Sequence, residues 1–276
     1  MVWINRIRDW GRQWTQFSIL VFSIVLGSMF DLQDMIVEFI REGGLDIDNF
    51  EWVYQLLLIL PRPVFVIVLT MLWLCFFRKW NREKVLKQNL ELIVRHSYFG
   101  YWFCSVILGY QTLSLKMIPI PMQFKLVFKN TYTKYEYMEG IQERTCSNAI
   151  EVVFLNTELA TSAVNFVLVD TYPIPLSKLP ELCTSLPTII VTNKGERGVR
   201  TYNRYYLEKI ANIFHELPCS VLLINVFATT SAAHVYYLAN DVFKTGGRDS
   251  VRRIRIYEQT SDGWTFELDQ YIEIKC

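Results

Sequence analysis

Patterns that carry chemistry are scarce in this chain. Its 276 residues hold three histidines, His96, His215 and His234, too far apart for an HExxH motif or any zinc-ligand spacing. Six cysteines (Cys75, Cys104, Cys146, Cys183, Cys219 and Cys276) form no CxxC pair, and scattered single cysteines fit a reducing compartment rather than a disulfide framework. There is no Walker loop, no GxGxxG, no GxSxG and no Ser-His-Asp spacing. No convergent acid–base pair emerges, so no enzyme activity, catalytic residue, metal or cofactor is assigned. A formal net charge of +1 names no partner, and no internal repeat or low-complexity tract is present.

What the chain has is hydrophobic residues, unevenly placed. They make up 51% of the sequence and concentrate before residue 120. Residues 13–30, from Gln13 to Phe30, carry no charge; eighteen helical residues reach about 27 Å, enough to cross the hydrocarbon of a bilayer. Residues 63–77, from Pro63 to Phe77, are also uncharged. Either this second span opens at Pro63, a favourable first helical position, or the helix starts near residue 52 and Arg62 lies within the membrane in a Pro-Arg-Pro kink. A central arginine costs roughly 2.5–3.5 kcal/mol, which favours the first arrangement.

The flanking charges set an orientation. Arg6, Arg8 and Arg12 precede the first span, and Arg78, Lys79, Arg82, Lys84 and Lys87 follow the second. Between the spans stand Asp31, Asp34, Glu38, Glu42, Asp46, Asp48 and Glu51 against Arg41 alone. Basic residues gather on the cytoplasmic side, so both termini are expected inside, with the membrane crossed twice. Asp9 and the lack of a small-x-small site argue against a cleaved signal peptide. Trp10, Trp14 and Trp80 suit an aromatic belt. Leu32, Met35, Ile36, Phe39 and Ile40 share one face of an amphipathic helix that ends at Gly43-Gly44. Residues 97–115 lack charge as well, but their Tyr, Ser, Gly and Gln content suits an interfacial or domain-buried helix better than a third span. The resulting division is a hairpin with amphipathic flanks (1–96), a linker helix (97–121) and a cytosolic α/β domain (122–276).

The last part changes period. Residues 123–129 read as a strand, 130–147 as a Tyr-rich loop or hairpin, and 150–155 as a strand. Buried strands at 165–169, 188–191, 220–226 and 253–257 alternate with helices at 176–186, 202–217 and 230–243, and 264–268 with 271–274 read as a closing hairpin. The fold class predicted is α/β: a transmembrane helical hairpin, then a Rossmann-like domain with a mostly parallel sheet. Ligands of open parallel sheets bind at the carboxyl ends of strands, which selects Asp170, Asn193 with Lys194, and Thr229, Thr230 and Ser231. The hydroxyl run opens a helix after the most apolar strand, and serves either a phosphate or as an ordinary N-cap. Lys194, Arg197 and Arg200 add positive charge or form a solvated basic loop; His234 lies one turn into the helix.

The stretch 220–257, with Phe227-Ala228-Thr229-Thr230-Ser231-Ala232-Ala233 and the strand closing on Ile256-Tyr257-Glu258, resembles the C-terminal half of SAVED domains and, more loosely, CARF domains. That resemblance implies a Rossmann-like sensor of nucleotide second messengers, with Thr229, Thr230 and Ser231 lining the nucleotide site. SAVED domains hold two such halves, and one fits here. The two-span hairpin joined to a cytosolic domain resembles the membrane effectors of CBASS and of retron defence systems. It implies a homo-oligomer that breaches the inner membrane in abortive infection, triggered by a cyclic nucleotide or released by a reverse transcriptase–DNA complex. Ser18, Ser23, Gly27 and Ser28 give the first span a small-residue surface for association. The alternatives are a membrane-tethered nucleotide-binding receptor or scaffold without pore activity, and a membrane-attached enzyme.

Overall fold

The computed structural model describes residues 10–29, 32–39, 52, 55, 56, 59, 61–88, 95–138, 140–143, 149–156, 161–194, 200–244, 251–260 and 264–275. Arg6, Arg8, Asp9, Phe30, Asp31, Ile40, Arg41, Glu42, Gly43-Gly44, Asp46, Asp48, Glu51, Cys146, Arg197 and Cys276, all used in the sequence reading, lie outside these residues. The chain divides into two compact units, one of residues 1–90 with 99–112 and one of 91–98 with 113–276.

The first unit is helical: α1 (Gly11–Met29), α2 (Leu32–Phe39), α3 (Arg62–Asn81) and α4 (Tyr98–Val106). The helices α1 and α3 pack together. Gln16, Leu20 and Ser23 are the buried positions of α1, spaced by one or two turns, and Phe65, Phe77 and Asn81 those of α3. The seam is tight at Gly27, where an added Cβ would stand 2.8 Å from Val66 Cγ2. Of the small residues singled out in the sequence, Gly27 and Ser23 face this seam, Ser18 is exposed, and the Ser28 side chain is not described. The outer faces remain apolar and exposed: Phe22, Ile24 and Val25 on α1, Ile67, Met71, Leu72 and Phe76 on α3. Among the described residues one helix, Pro63–Asn81, is long and apolar enough to cross a membrane. Arg12, Gln13 and Gln16 dilute the first turns of α1. The α3 helix opens on Pro61 with a proline inside its first turn and ends on Arg78 and Lys79, which favours its negative dipole end. Helix α4, at nine residues, is too short to span a bilayer.

The second unit is mixed α/β. Its main sheet has six strands: β1 (Ile150–Leu155), β2 (Ala163–Val169), β3 (Thr188–Asn193), β4 (Leu223–Ala228), β5 (Arg253–Gln259) and β6 (Phe266–Lys275), in the order β6-β5-β4-β2-β3-β1. The four central strands are parallel, with Asn165 opposite Thr188, Ala163 opposite Leu223, and Leu223 opposite Arg253. The two edges are antiparallel. From β2 the chain moves to β3 on one side and later to β4 on the other, so the direction of winding switches between β2 and β4. Among the described residues this unit carries the α-helices α5 (Ile120–Phe128), α6 (Glu181–Thr184), α7 (Arg204–His215) and α8 (Ala232–Tyr237), the last continuing as a π-helical turn, Leu238–Phe243.

Apolar packing covers both pleat faces. Val167, Val169, Phe227, Tyr257 and Phe266 cluster with Ile174, Leu179 and Cys183 on one. The alternate residues Phe166, Leu168, Ile224 and Val226 are fully buried on the other. Helix α7 turns Tyr206, Leu207, Ile210, Ile213 and Phe214 inward, a 3.6-residue stripe.

Two sequence expectations are corrected. Residues 123–129 are not a strand; they lie in α5. Pro119 and Pro121 pre-set the helical entry, and Phe124, Leu126 and Val127 are all buried, a stripe wider than an alternating strand would bury. Residues 264–268 and 271–274 do not pair with each other. They form one strand, β6, whose Lys275 stands opposite Arg253 of β5. Asp269 and Gln270 make no turn; the chain reverses earlier, where the Thr260 N–H donates to the Thr265 carbonyl at 2.8 Å and Trp264 takes a φ of +58°.

Candidate functional site

The carboxyl ends of β2, β3 and β4 converge on one side chain. Asp170 directly follows β2 and is buried. Its Oδ1 accepts from Asn193 Nδ2 at 2.8 Å, at the end of β3. Its Oδ2 accepts from the Ser231 N–H at 3.1 Å and from His234 Nδ1 at 2.7 Å. The imidazole tautomer follows from its second nitrogen: Nε2 accepts the Asn203 N–H at 2.8 Å, so the ring proton sits on Nδ1 and is donated to Asp170. Asn203 also donates from Nδ2 to Asn193 Oδ1 at 3.1 Å, and its own Oδ1 caps α7 through the Tyr205 N–H. Ser231 caps α8 through the His234 N–H and donates to the Thr201 carbonyl at 3.2 Å.

The arrangement has a chemical consequence. An anion at the start of α8 would bind the Ser231 N–H, and the chain's own Asp170 carboxylate occupies that amide. Asp170, Asn193 and Ser231, selected from the sequence, are brought together as a closed polar knot. Thr229 stands beside it, donating to the Tyr172 carbonyl at 2.7 Å, while its own carbonyl accepts the Thr171 N–H at 3.1 Å. Thr230 differs. Its hydroxyl is buried and has no hydrogen-bond partner among the described residues, at the crossover between β2 and β4. Lys194 is not part of the group: its ammonium pairs with Glu151 at 2.9 Å on the surface.

His234 and Asn203 complete the knot and carried little signal in the sequence. Asn203 was readable as an N-cap, because it precedes an amphipathic helix. Tyrosines surround them. The Tyr206 ring lies 5.1 Å from His234, and burial, with Asp170 next, pushes its phenol well above the usual range. Tyr202 lies 5.7 Å from His234 and 5.1 Å from Tyr237; burial first, then Tyr237, pushes it up to about 12. Tyr137 stacks on Tyr236 at 4.2 Å and 12°. Nearby, Val127, Asn130, Tyr132, Tyr135, Tyr236 and Asn240 line a pocket of about 400 Å³. The signal for it was the spacing of Tyr132, Tyr135 and Tyr137 in the Tyr-rich loop. Among the described residues no group of His, Cys, Asp or Glu is arranged to hold a metal ion.

A packed helix pair with exposed apolar flanks is joined in one chain to a unit with a mostly parallel sheet. Over residues 2–274 the chain matches the SMODS- and Ubiquitin system-associated 2TM effector domain, and it belongs to that family. The resemblance to two-span membrane effectors therefore stands. No curated protein matches the chain. Among solved structures it is similar to the Acinetobacter baumannii Cap4 SAVED/CARF-domain containing receptor with the cyclic trinucleotide 3'3'3'-cAAA, at 9% identity and a TM-score of 0.42, over 64% of this chain and 41% of that one. The same receptor with 2'3'3'-cAAA gives 9% identity and 0.41 over the same shares. The chain thus spans about two-fifths of the length of those receptors.

Proposed function

We propose that this protein is a membrane effector of a CBASS-type bacterial anti-phage defence system. Its helix pair disrupts the inner membrane and its α/β unit receives the trigger, with abortive infection as the outcome. The observation that carries the reading is the helix pair of the first unit, in a member of a 2TM effector family. Its seam is close-packed at Gly27, and its outer faces present a continuous apolar surface suited to lipid. The trigger is taken to be a cyclic oligonucleotide. The unpartnered Thr230 hydroxyl at the winding switch and the tyrosine-lined pocket support this, since aromatic rings stack on any base. Both termini are placed in the cytoplasm by the basic flanks, and the active form is an oligomer. No turnover is assigned, because both nitrogens of the His234 ring are engaged in the knot.

The test is membrane potential in bacteria carrying the full chain, with a cyclic-oligonucleotide synthase induced beside it. Depolarisation and growth arrest are expected in the intact protein and not in Val25→Lys, which puts a charge on the outer face of α1. A full chain that never depolarises cells under any cyclic oligonucleotide overturns the reading. Function retained after replacing residues 10–81 with an unrelated anchor would instead make the protein a tethered receptor.

A further inference from the structure

We infer that α4 is a third membrane-contacting element, a short helix lying in the headgroup and acyl boundary of the cytoplasmic leaflet beside the two spans. The inference rests on the reading that α1 and α3 cross the bilayer. Contacts within the first unit fix the level of α4. Tyr101 meets Trp10 edge-on at 5.0 Å, and Phe103 meets Phe17 at 5.4 Å. Just after the helix, the Leu108 carbonyl accepts from Asn81 Nδ2 at 2.9 Å. Gly109, at φ +78°, lies so close to α3 that an added Cβ would stand 2.7 Å from the Arg78 Cα. So α4 is held against the first turns of α1 and the last turn of α3. Those are the basic ends, with Arg12, Arg78 and Lys79, which basic-residue asymmetry assigns to the cytoplasmic surface.

At that level the outward face of α4 is apolar. Phe99, Trp102 and Val106, at i, i+3 and i+7, are 67%, 37% and 43% exposed, and the helix carries no charge. This face continues the lipid-facing side of α1. Ring contacts run from Trp14 to Phe17, on to Phe103, then Phe99 and Trp102, with centroids 5.4 to 6.4 Å apart. A water-exposed aromatic strip joined to a lipid-exposed one is the arrangement an interfacial helix resolves, with its rings at headgroup depth. The occupant is therefore lipid.

The experiment uses the full chain in native membranes. A photo-reactive benzoylphenylalanine is placed in turn at Phe99, Trp102 and Val106, at Phe22 and Leu72 as span positions, and at the surface residue Glu208 of the second unit. Lipid adducts are then read by mass spectrometry. Adducts at 99, 102 and 106 in yields matching 22 and 72, with none at 208, are expected. If 22 and 72 give adducts and the three α4 positions do not, the inference fails while the spanning reading stands. If the α4 positions react and 22 and 72 do not, the spanning reading falls and takes with it the placement of α4 beside two spans. If none of the five reacts, both fall.

Discussion

Each unit of this molecule is built around one buried polar side chain, and the two hubs differ in charge and surroundings. In the helical unit the hub is Asn81. It exchanges hydrogen bonds with Gln16 in both directions, at 3.0 and 3.2 Å, donates to the Leu108 carbonyl and accepts from Arg12 at 3.0 Å. In the α/β unit the hub is Asp170, a carboxylate gripped by Asn193, His234 and a backbone amide. Around Asp170 the immediate neighbours Asn193, Ser231 and His234 are buried and polar, and beyond them lies the apolar core that already decides how the strands pack. The knot decides where the loops leaving β2, β3 and β4 sit. Around Asn81 the helices carry apolar residues on their inner and outer faces alike, and in lipid apolar contact does not distinguish a partner from the solvent. There the polar hub and the close approach at Gly27 fix the register of the pair. The same device thus orders loops in one unit and aligns helices in the other.

The largest effect that tests this comparison is expected at Asp170. Asp170→Ala leaves the Ser231 N–H and the His234 ring proton buried without an acceptor and the Asn193 amide with Thr201 Oγ1 alone, and should cost about 3–5 kcal/mol. Urea unfolding of the full chain in mild detergent measures it. The first unit is expected to keep its helix content, and a loss below about 1 kcal/mol would deny the knot its ordering role. Next comes Gly27→Val. The new side chain meets a Val66 methyl at a distance no Cβ tolerates, so the Val66 side chain must turn away or the helices must part. A loss of about 1–3 kcal/mol in the first unit, and none in the second, is expected by the same measurement.

Much of this was legible beforehand. The strands at 165–169 and 188–191, the helix at 202–217 and the apolar helix that opens at Pro63 were marked by continuous apolar runs or clean 3.6-residue stripes. Asp170, Asn193 and Ser231 were selected by the strand-end rule, which needs only the order of elements. Helix α5 was misread because Phe124, Leu126 and Phe128 alternate over a short window and the helix-starting prolines lie outside it. The closed character of the knot was not legible: His234 reaches Asp170 across 64 residues and Asn203 across 31, a tertiary fact with no local pattern. Nor was Asn81, which reads as the polar end of a basic helix. The paired glutamines Gln13 and Gln16 in an otherwise apolar run were the available hint that α1 carries a polar contact.

Alkali should separate the units further. Tyr135, in the second unit, donates to the Leu126 carbonyl at 2.7 Å and is pushed up to about 12 chiefly by burial; Tyr257 is pushed up to about 12 chiefly by burial also. A phenol whose folded value is raised holds its proton more tightly in the native state. Its stabilisation is complete below the ordinary value of 10.0 and is lost as pH rises toward about 12. The unfolding free energy of the second unit, measured in urea, should therefore fall across that window, by at most about 2–3 kcal/mol for each phenol. Tyr135→Phe should flatten part of the slope, and an unchanged slope would sink the assignment.

The smallest effect is the most telling for the comparison. Asn81→Leu removes the hub of the helical unit and replaces it with a side chain of similar bulk that asks for no partner. Inter-helix hydrogen bonds in membranes are worth about 1 kcal/mol, so the thermodynamic loss in a detergent titration should be about that size. If Asn81 sets register, the structural loss is larger than the energetic one. Pairs of cysteines placed at facing positions of the seam should then oxidise less selectively in the Asn81→Leu background than with Asn81 present. Unaltered selectivity would mean that the fit at Gly27 alone aligns the helices and that Asn81 only serves to seat the Leu108 turn.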